Sequence, residues 1–118
     1  MNLNEKCDVI DVECEPVDAL EVWRKIHDNY AVSNFGRVWS LKRNKLLHQY
    51  IETCNREGGV QYYYKTVSLY DCGNKKNYYV HRLIVHAFIN DIRKIKNKHV
   101  KHINKIKMDN RAENLCVY

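Results

Sequence analysis

Two pairs of β-prone runs constrain the fold of this chain more than any other feature of its sequence. Residues 30–33 and 37–41 are rich in aromatic and β-branched side chains, and they flank an Asn-Phe-Gly turn at 34–36. Such side chains favour strands, and an Asn and Gly pair between two runs is a hairpin signal. A second pair, residues 62–70 and 78–80, flanks another turn-rich stretch. The sequence therefore predicts an antiparallel sheet.

A short amphipathic helix is predicted after the sheet, over residues 81–89. Its apolar side chains recur at helical spacing: Leu83, Ile84, Ala87 and Phe88. Residues 100–103 are a strand candidate, and residues 104–108 are expected to form a loop. The Asp-Asn pair at 109–110 resembles a cap, which predicts a last helix starting near Arg111. The fold class expected is α+β, and its final third should run strand, loop, helix.

Charge is distributed unevenly along the 118 residues, which suffice for one compact domain. Residues 1–21 carry seven acids and a single base, Lys6, whereas the remainder carries 19 Lys and Arg against seven Asp and Glu, a net charge of +12. So basic a body favours a polyanion partner, because each phosphate that a Lys or Arg neutralises releases condensed counterions. A generic solvated surface is the alternative interpretation. We interpret residues 1–20 as an acidic flexible arm.

Several classes of protein are disfavoured by what the sequence lacks. The five cysteines are odd in number and include no C-x-x-C pair, which argues against a disulfide framework and against a zinc knuckle. No apolar run approaches the length of a membrane span, and the N-terminal residues lack the apolar stretch of a signal peptide. We expect a protein that is not secreted, has no membrane partner and works in the cytoplasm, the nucleus, a viral factory or a virion.

Three segments occur in an order and spacing that point to one family. Residues 21–41 resemble the nuclease-associated modular motif of HNH endonucleases, of the homing type, from phages and large DNA viruses. Residues 80–89 are similar to a His-Arg-Leu-Val and Ala-Phe signature of the same proteins, and residues 100–115 are similar to their HNH core. The resemblance implies a β-rich DNA-binding module over 21–80. It further implies an HNH-type ββα module over 81–118 that is truncated at its C-terminal end.

The chemistry that this resemblance implies is cleavage of a DNA phosphodiester with Mg²⁺ or another divalent cation. His102 is similar to the family's general base, a neutral imidazole that takes a proton from water. Asn114 is similar to the central Asn, whose amide ties the loop that positions the imidazole. The cation would offset the charge that builds on the phosphate and on the leaving oxygen. On this hypothesis His102 and Asn114 are catalytic, and double-stranded DNA is the substrate.

Departures from the family's pattern favour a second hypothesis. Lys101 stands where the family has an Asp or Asn ligand, and an ammonium has no lone pair to offer a cation. The chain stops at Tyr118, so the helix that would carry a distal ligand is expected to be cut short. Asn104 and Asp109 remain as candidate oxygen ligands. The second hypothesis is a catalytically lapsed HNH relative that binds DNA as a packaging, architectural or regulatory protein and needs no cofactor.

The candidate contacts with DNA are basic residues and a histidine near these motifs. A lysine grips phosphate well even where it is useless as a metal ligand. The set is Arg37, Lys42, Arg43, His81, Arg82, Lys101, Lys105, Lys107 and Arg111. A third hypothesis is a protein-interaction module that uses the acidic arm and the tyrosine-rich sheet, and it predicts no retention of DNA at low salt. Cleavage and binding without cleavage both remain open at this point.

Overall fold

The computed structural model describes residues 3–55, 57–59, 61–89 and 99–117. Within these ranges the chain forms ten strands, one α-helix and two short 3-10 turns. The strands are β1 (Val9–Ile10), β2 (Trp23–His27), β3 (Tyr30–Ser33), β4 (Val38–Ser40), β5 (Lys45–Leu46), β6 (Tyr50–Asn55), β7 (Gln61–Asp71), β8 (Asn74–Tyr79), β9 (Val100–His102) and β10 (Leu115–Val117). The helix α1 is Val80–Phe88, and the 3-10 turns are Glu57–Gly59 and Ala112–Asn114.

The strands form three antiparallel sheets. The first has the order β1-β2-β3-β4-β5, the second β6-β7-β8, and the third is the two-stranded ribbon of β9 and β10. The α+β class is therefore confirmed, and so are the two predicted hairpins, which are β3–β4 and β7–β8. β1, β2, β5 and β6 were not predicted, because these strands are short or exposed and their side-chain pattern is weak.

One hydrophobic core joins the parts of the chain that the sequence divides at residue 80. The apolar face of α1 contributes Leu83 and Ile84, both almost fully buried. Val32 from β3, Leu69 from β7 and Leu115 from β10 pack in the same cluster. The predicted amphipathic helix is thus present, and it holds the ribbon against the two larger sheets. It is short, and no helix in the described ranges is long and apolar enough to cross a membrane.

The acidic N-terminal segment differs from the expected flexible arm. Its strand β1 pairs with β2, and Ile10, Val12 and Cys14 pack against the two tryptophans of the first sheet, Trp23 and Trp39. The tryptophan rings meet edge to face, with centroids 6.2 Å apart. The acids alternate with these apolar residues and remain exposed. The segment is ordered because a short period-two pattern, hidden among the acids, covers a buried aromatic pair.

The predicted last helix is absent from the described residues. Only Ala112–Asn114 turn, as a 3-10 turn, before the chain continues as β10. β10 pairs antiparallel with β9, with Leu115 opposite His102. The cap prediction failed because the Asp109 carboxylate accepts hydrogen bonds from the Arg111 guanidinium. Leu115 is buried in the core, and this burial favours the extended conformation that brings it there.

Candidate functional site

The β9–β10 ribbon presents the loop of residues 103–110 that joins it to the second 3-10 turn. The buried side chain of Asn114 holds this loop in place through hydrogen bonds. Its Oδ1 accepts from the backbone amide of Asn104 at 3.0 Å, and its Nδ2 donates to Asn104 Oδ1 and to the Asp109 carbonyl, each at 2.9 Å. Three hydrogen bonds from one side chain therefore close the loop, which we call the 103–110 loop.

His102 lies at the base of this loop and is only 2% exposed. Its Nε2 lies 2.9 Å from Oδ1 of the buried Asn110. Because an amide oxygen only accepts, Nε2 donates and the lone pair lies on Nδ1. That Nδ1 is buried and has no hydrogen-bond partner among the described residues. Burial lowers the pKa of His102, so the ring is neutral, yet its lone pair faces the protein interior and not solvent.

His81, in the first turn of α1, packs against His102 in an aromatic cluster. The two imidazoles meet edge to face, with centroids 5.4 Å apart, and Tyr79 stacks on His81 at 5.3 Å. Tyr64 completes the cluster, 5.6 Å from His81. Burial, reinforced by His102, Arg82 and Lys107, lowers the pKa of His81 to about 3. His81 is therefore a buried neutral ring, and we leave it out of the residues proposed to contact DNA.

We expect stability to fall as the pH decreases below the unfolded histidine pKa of about 6.5. A histidine whose folded pKa is lowered binds its proton only after unfolding, so its stabilisation is complete above pH 6.5 and is lost towards pH 3. His81→Phe keeps a ring against Tyr79 and should flatten the dependence between pH 5 and 6.5 by about 1 kcal/mol per pH unit. Urea unfolding of parent and variant at several pH values measures this, with the exposed His48→Gln as control. An equally steep dependence in His81→Phe would contradict the expectation.

Three lysines lie at the 103–110 loop, one on β9 and two within the loop itself. Lys101 and Lys105 are exposed, and the Lys107 ammonium lies 5.4 Å from the centroid of the Tyr62 ring. None of the three forms an ion pair with an acid in the part of the chain that the structure describes. Within the ranges that the structure describes, their charges are therefore not offset by an ion pair.

The arginines predicted to bind DNA are placed differently. Arg111 donates to Asp109 and to Glu113, which offset its charge. Arg37 donates to the wholly covered Glu21 carboxylate and to the Glu15 carbonyl, and it lies over the Trp23 ring. Arg82 is exposed on α1. Lys42 and Arg43 are exposed on the segment after β4, in a depression that no residue of 99–117 lines.

The turn between β3 and β4 supports the 103–110 loop, which the sequence did not reveal. Gly36 has a φ of +85°, and a Cβ there would lie 3.0 Å from the carbonyl oxygen of Asn110. The backbone amide of Ala112 donates to the Asn34 carbonyl at 2.8 Å. Asn110 itself was missed, although it is the partner of His102. Its only signal was polarity, which suggested a helix cap.

Comparisons of the sequence and of the structure with known proteins both find HNH endonucleases. The chain is 38% identical over 99 residues to an uncharacterized HNH endonuclease of Acanthamoeba polyphaga mimivirus, a match that covers 80% of the chain. A second uncharacterized HNH endonuclease of this virus is 36% identical over 79% of the chain. The chain belongs to the HNH endonuclease family. A solved structure of the HNH homing endonuclease I-HmuI, described as binding and cleaving DNA, superposes with a TM-score of 0.62 at 29% identity, over 78% of this chain and 47% of that one.

The chain spans about a quarter of the length of the two viral HNH relatives, 23% and 26%. No protein-family profile matches it. The similarity therefore shows the family of this region, and the activity of the longer HNH proteins is not shown for it.

The divalent cation that the HNH family implies does not fit the donors present here. Lys101, which immediately precedes His102, has no lone pair to offer a cation. Asn104 Oδ1 already accepts from the Ile106 amide and from Asn114 Nδ2, each at 2.9 Å. Both Asp109 oxygens accept from Arg111, whose hydrogen bonds lower the pKa of Asp109 to about 2. No group of three or more His, Cys, Asp or Glu side chains suited to a metal occurs in the described ranges.

Proposed function

We propose that this HNH-family chain binds double-stranded DNA through its 103–110 loop and does not cleave it. The observation that carries the proposal is the set of Lys101, Lys105 and Lys107, which form no ion pair in the described residues and lie at a loop whose Asn104 and Asp109 side-chain oxygens already accept hydrogen bonds. Such a surface suits the phosphates of a duplex, which are offset well by lysine ammonium groups.

The geometry of His102 supports binding without cleavage. A general base must reach the water or hydroxyl from which it takes a proton, within about 3 Å or through one water. The lone pair of His102 lies on a buried Nδ1, whereas its Nε2 is held by Asn110. Without a cation, the charge that builds on a phosphate in the transition state also lacks its main stabilisation.

The family supports the choice of DNA as the partner. The HNH homing endonuclease I-HmuI, which is similar over 78% of this chain, is described as binding and cleaving DNA. This chain has a basic body and three lysines at the 103–110 loop, which suit DNA binding. The duplex should be held by its backbone, since the three lysines present charge without the paired donors that read a base edge.

Supercoiled plasmid tests the proposal directly. We expect the purified chain to retard the plasmid at low salt and to release it as salt rises, because phosphate contacts are weakened by counterions. With Mg²⁺ or Mn²⁺ added, the plasmid should stay supercoiled. A commercial nicking enzyme in the same buffer controls for substrate quality.

The competing hypothesis, an active endonuclease, predicts a different pattern. It requires nicking that depends on the divalent cation and that His102→Ala abolishes. That result would overturn binding without cleavage. A parent chain that leaves the plasmid unretarded at low salt would overturn DNA binding as well, and would favour the protein-interaction hypothesis.

A further inference from the structure

The 103–110 loop carries exposed apolar side chains that contact with DNA phosphates does not use. Ile106 is 56% exposed and Met108 is 36% exposed. They alternate in the sequence with lysines, so that residues 105–108 run as cation, apolar, cation, apolar. Ile106, Met108 and Tyr63 of β7 line the same depression as Lys105 and Lys107. Apolar side chains grouped among charged ones are typical of a surface that contacts another protein.

A second exposed surface combines apolar side chains with the opposite charge. It is formed by residues 15–20, which we call the 15–20 turn, and all of its residues are exposed. Val17 and Leu20 are 61% and 74% exposed. Glu15 and Asp18 form no ion pair within the residues that the structure describes. The 15–20 turn therefore presents carboxylates beside apolar side chains, whereas the loop presents ammonium groups beside apolar side chains.

Hydrogen bonds hold both surfaces in place. In the 15–20 turn the Val17 amide donates to Glu21 Oε1 at 3.1 Å, and the Leu20 amide donates to Asp18 Oδ1 at 2.7 Å. The 103–110 loop is closed by the hydrogen bonds of Asn114. Neither surface has to become ordered when a partner binds, which lowers the entropic cost of association.

The two surfaces are neighbours in the fold. Leu20 of the turn and Arg111, the residue that follows the loop, line one depression. Asn34 connects them, because its Nδ2 donates to the Leu20 carbonyl at 3.0 Å and its carbonyl accepts from the Ala112 amide at 2.8 Å. A face with adjacent acidic and basic halves is self-complementary. A second copy related by a two-fold axis brings acidic half onto basic half twice, and the assembly closes as a dimer.

We infer that two copies of this chain associate through this face, with the 15–20 turn of each copy on the 103–110 loop of the other. Both surfaces are exposed in the single chain, so its own turn does not cover its own loop. Opposite charge and matching apolar side chains identify the turn of a second copy as the occupant. The inference rests on the proposed function and adds a regulation to it. Self-association covers the loop lysines, so a second copy and DNA compete for the same loop.

Sedimentation velocity of the full chain over a range of concentrations tests the association. We expect a dimer at low salt that dissociates at about 1 M salt, where the Debye length is about 3 Å. The turn variant is Glu15→Lys/Asp18→Lys, and the loop variant is Lys105→Glu/Lys107→Glu. Each variant sets like charges against each other in its own dimer and should raise the dimer Kd at least about 100-fold.

The control for the turn variant is Glu5→Lys/Glu52→Lys. It makes the same change of net charge at two exposed acids outside the face and should raise the dimer Kd far less. Equal effects of the turn variant and this control would overturn the inference. Val17→Ser/Leu20→Ser, which keeps every charge, should also weaken the dimer, and an unchanged dimer in that variant would count against the face as well.

Mixing the turn variant with the loop variant tests the pairing itself. In the mixed dimer the new lysines of one chain face the new carboxylates of the other, and the unchanged turn faces the unchanged loop. Both contacts are attractive, so an equimolar mixture should recover the dimer that neither variant forms alone. Recovery also shows that both variants are folded. A mixture that stays monomeric, although thermal unfolding finds both variants folded, overturns the inference.

Energy transfer between two differently labelled pools of the parent chain follows the dimer when DNA is present. A duplex of about ten base pairs, roughly one helical turn, should abolish the transfer as it occupies the loops. Transfer that persists with the duplex bound overturns the competition. A chain that binds the duplex but is monomeric at every concentration overturns the inference and leaves the proposed function intact. A chain that dimerises but does not bind DNA overturns the proposed function and supports the face between copies.

Discussion

Arg37→Ala is expected to destabilise the folded chain by about 1.5–3 kcal/mol, the usual cost of losing hydrogen bonds to a charged group that is partly withdrawn from solvent. Arg37 Nε donates to Glu21 Oε2 at 2.8 Å, and Nη2 donates to the other carboxylate oxygen and to the Glu15 carbonyl. The Glu21 side chain is 0% exposed. The same carboxylate also holds the acidic segment, since the backbone amide of Val17 donates to Glu21 Oε1. The pair therefore fastens the acidic segment to the first sheet.

The free energy of urea unfolding at pH 7 measures this loss. The double variant Glu21→Gln/Arg37→Gln removes both charges and should recover much of it, because no buried carboxylate is then left unpaired. Arg43→Ala, which removes an exposed arginine, serves as the matched control. A loss below about 1 kcal/mol in Arg37→Ala would place the pair with surface ion pairs and contradict this account.

The Arg37→Ala variant also distinguishes a structural role of Arg37 from a role in DNA binding. Burial alone would raise the pKa of Glu21, but the hydrogen bonds from Arg37 and Val17 outweigh it and leave the pKa lowered. The stabilisation from this carboxylate is therefore present above its unfolded pKa and is lost as the pH falls through the folded value. Arg37→Ala should remove part of that acid sensitivity. If it instead keeps full stability and lowers the salt slope of DNA binding by about 1, Arg37 is the DNA contact that the sequence suggested.

The Lys101→Gln/Lys105→Gln variant is expected to bind duplex DNA up to about 100-fold more weakly at 0.1 M salt. Both side chains are exposed and make no ion pair in the described residues, so the change should leave the fold unaltered. Each ammonium that neutralises a phosphate contributes about 0.9 to the slope of log K against log salt. The double variant should lower that slope by about 1.8.

The control for this variant is Lys6→Gln/Lys25→Gln. It removes two positive charges, but Lys6 lies 3.9 Å from Asp8 and Lys25 lies 4.0 Å from Asp28, so both are partly offset already. Anisotropy titrations of the same duplex compare the two variants, and thermal unfolding checks that each is folded. Equal changes of slope in both variants would mean that net charge drives the binding, and the loop would lose its assignment.

The sequence predicted the local elements well where a pattern was strong and short in range. The β3–β4 and β7–β8 hairpins and the helix α1 follow from side-chain periodicity and turn residues, which act between neighbours. The prediction of a last helix was wrong. It relied on a local cap signal at 109–110, whereas the burial of Leu115 in β10 depends on residues far away in the sequence. Tertiary packing outweighed propensity at that point.

By itself, the sequence determined the family and the basic loop. Motif residues such as His102 and Asn114 keep their order and spacing whatever surrounds them, and Lys101 is visible as a departure. Only the tertiary structure decided which charges are free. The Arg37 guanidinium binds the Glu21 carboxylate, which is 16 residues away in the sequence. The backbone of Gly36 lies against that of Asn110, although the two residues are far apart in the sequence.

The placement of His102 was also decided only by the tertiary structure. Asn110 Oδ1 accepts a hydrogen bond from Nε2 of His102, and Gly36 lies against the Asn110 backbone. The physical reason is common to all these cases. The role of a polar side chain depends on its partner and its burial, and both are set by contacts between residues that lie far apart in the sequence.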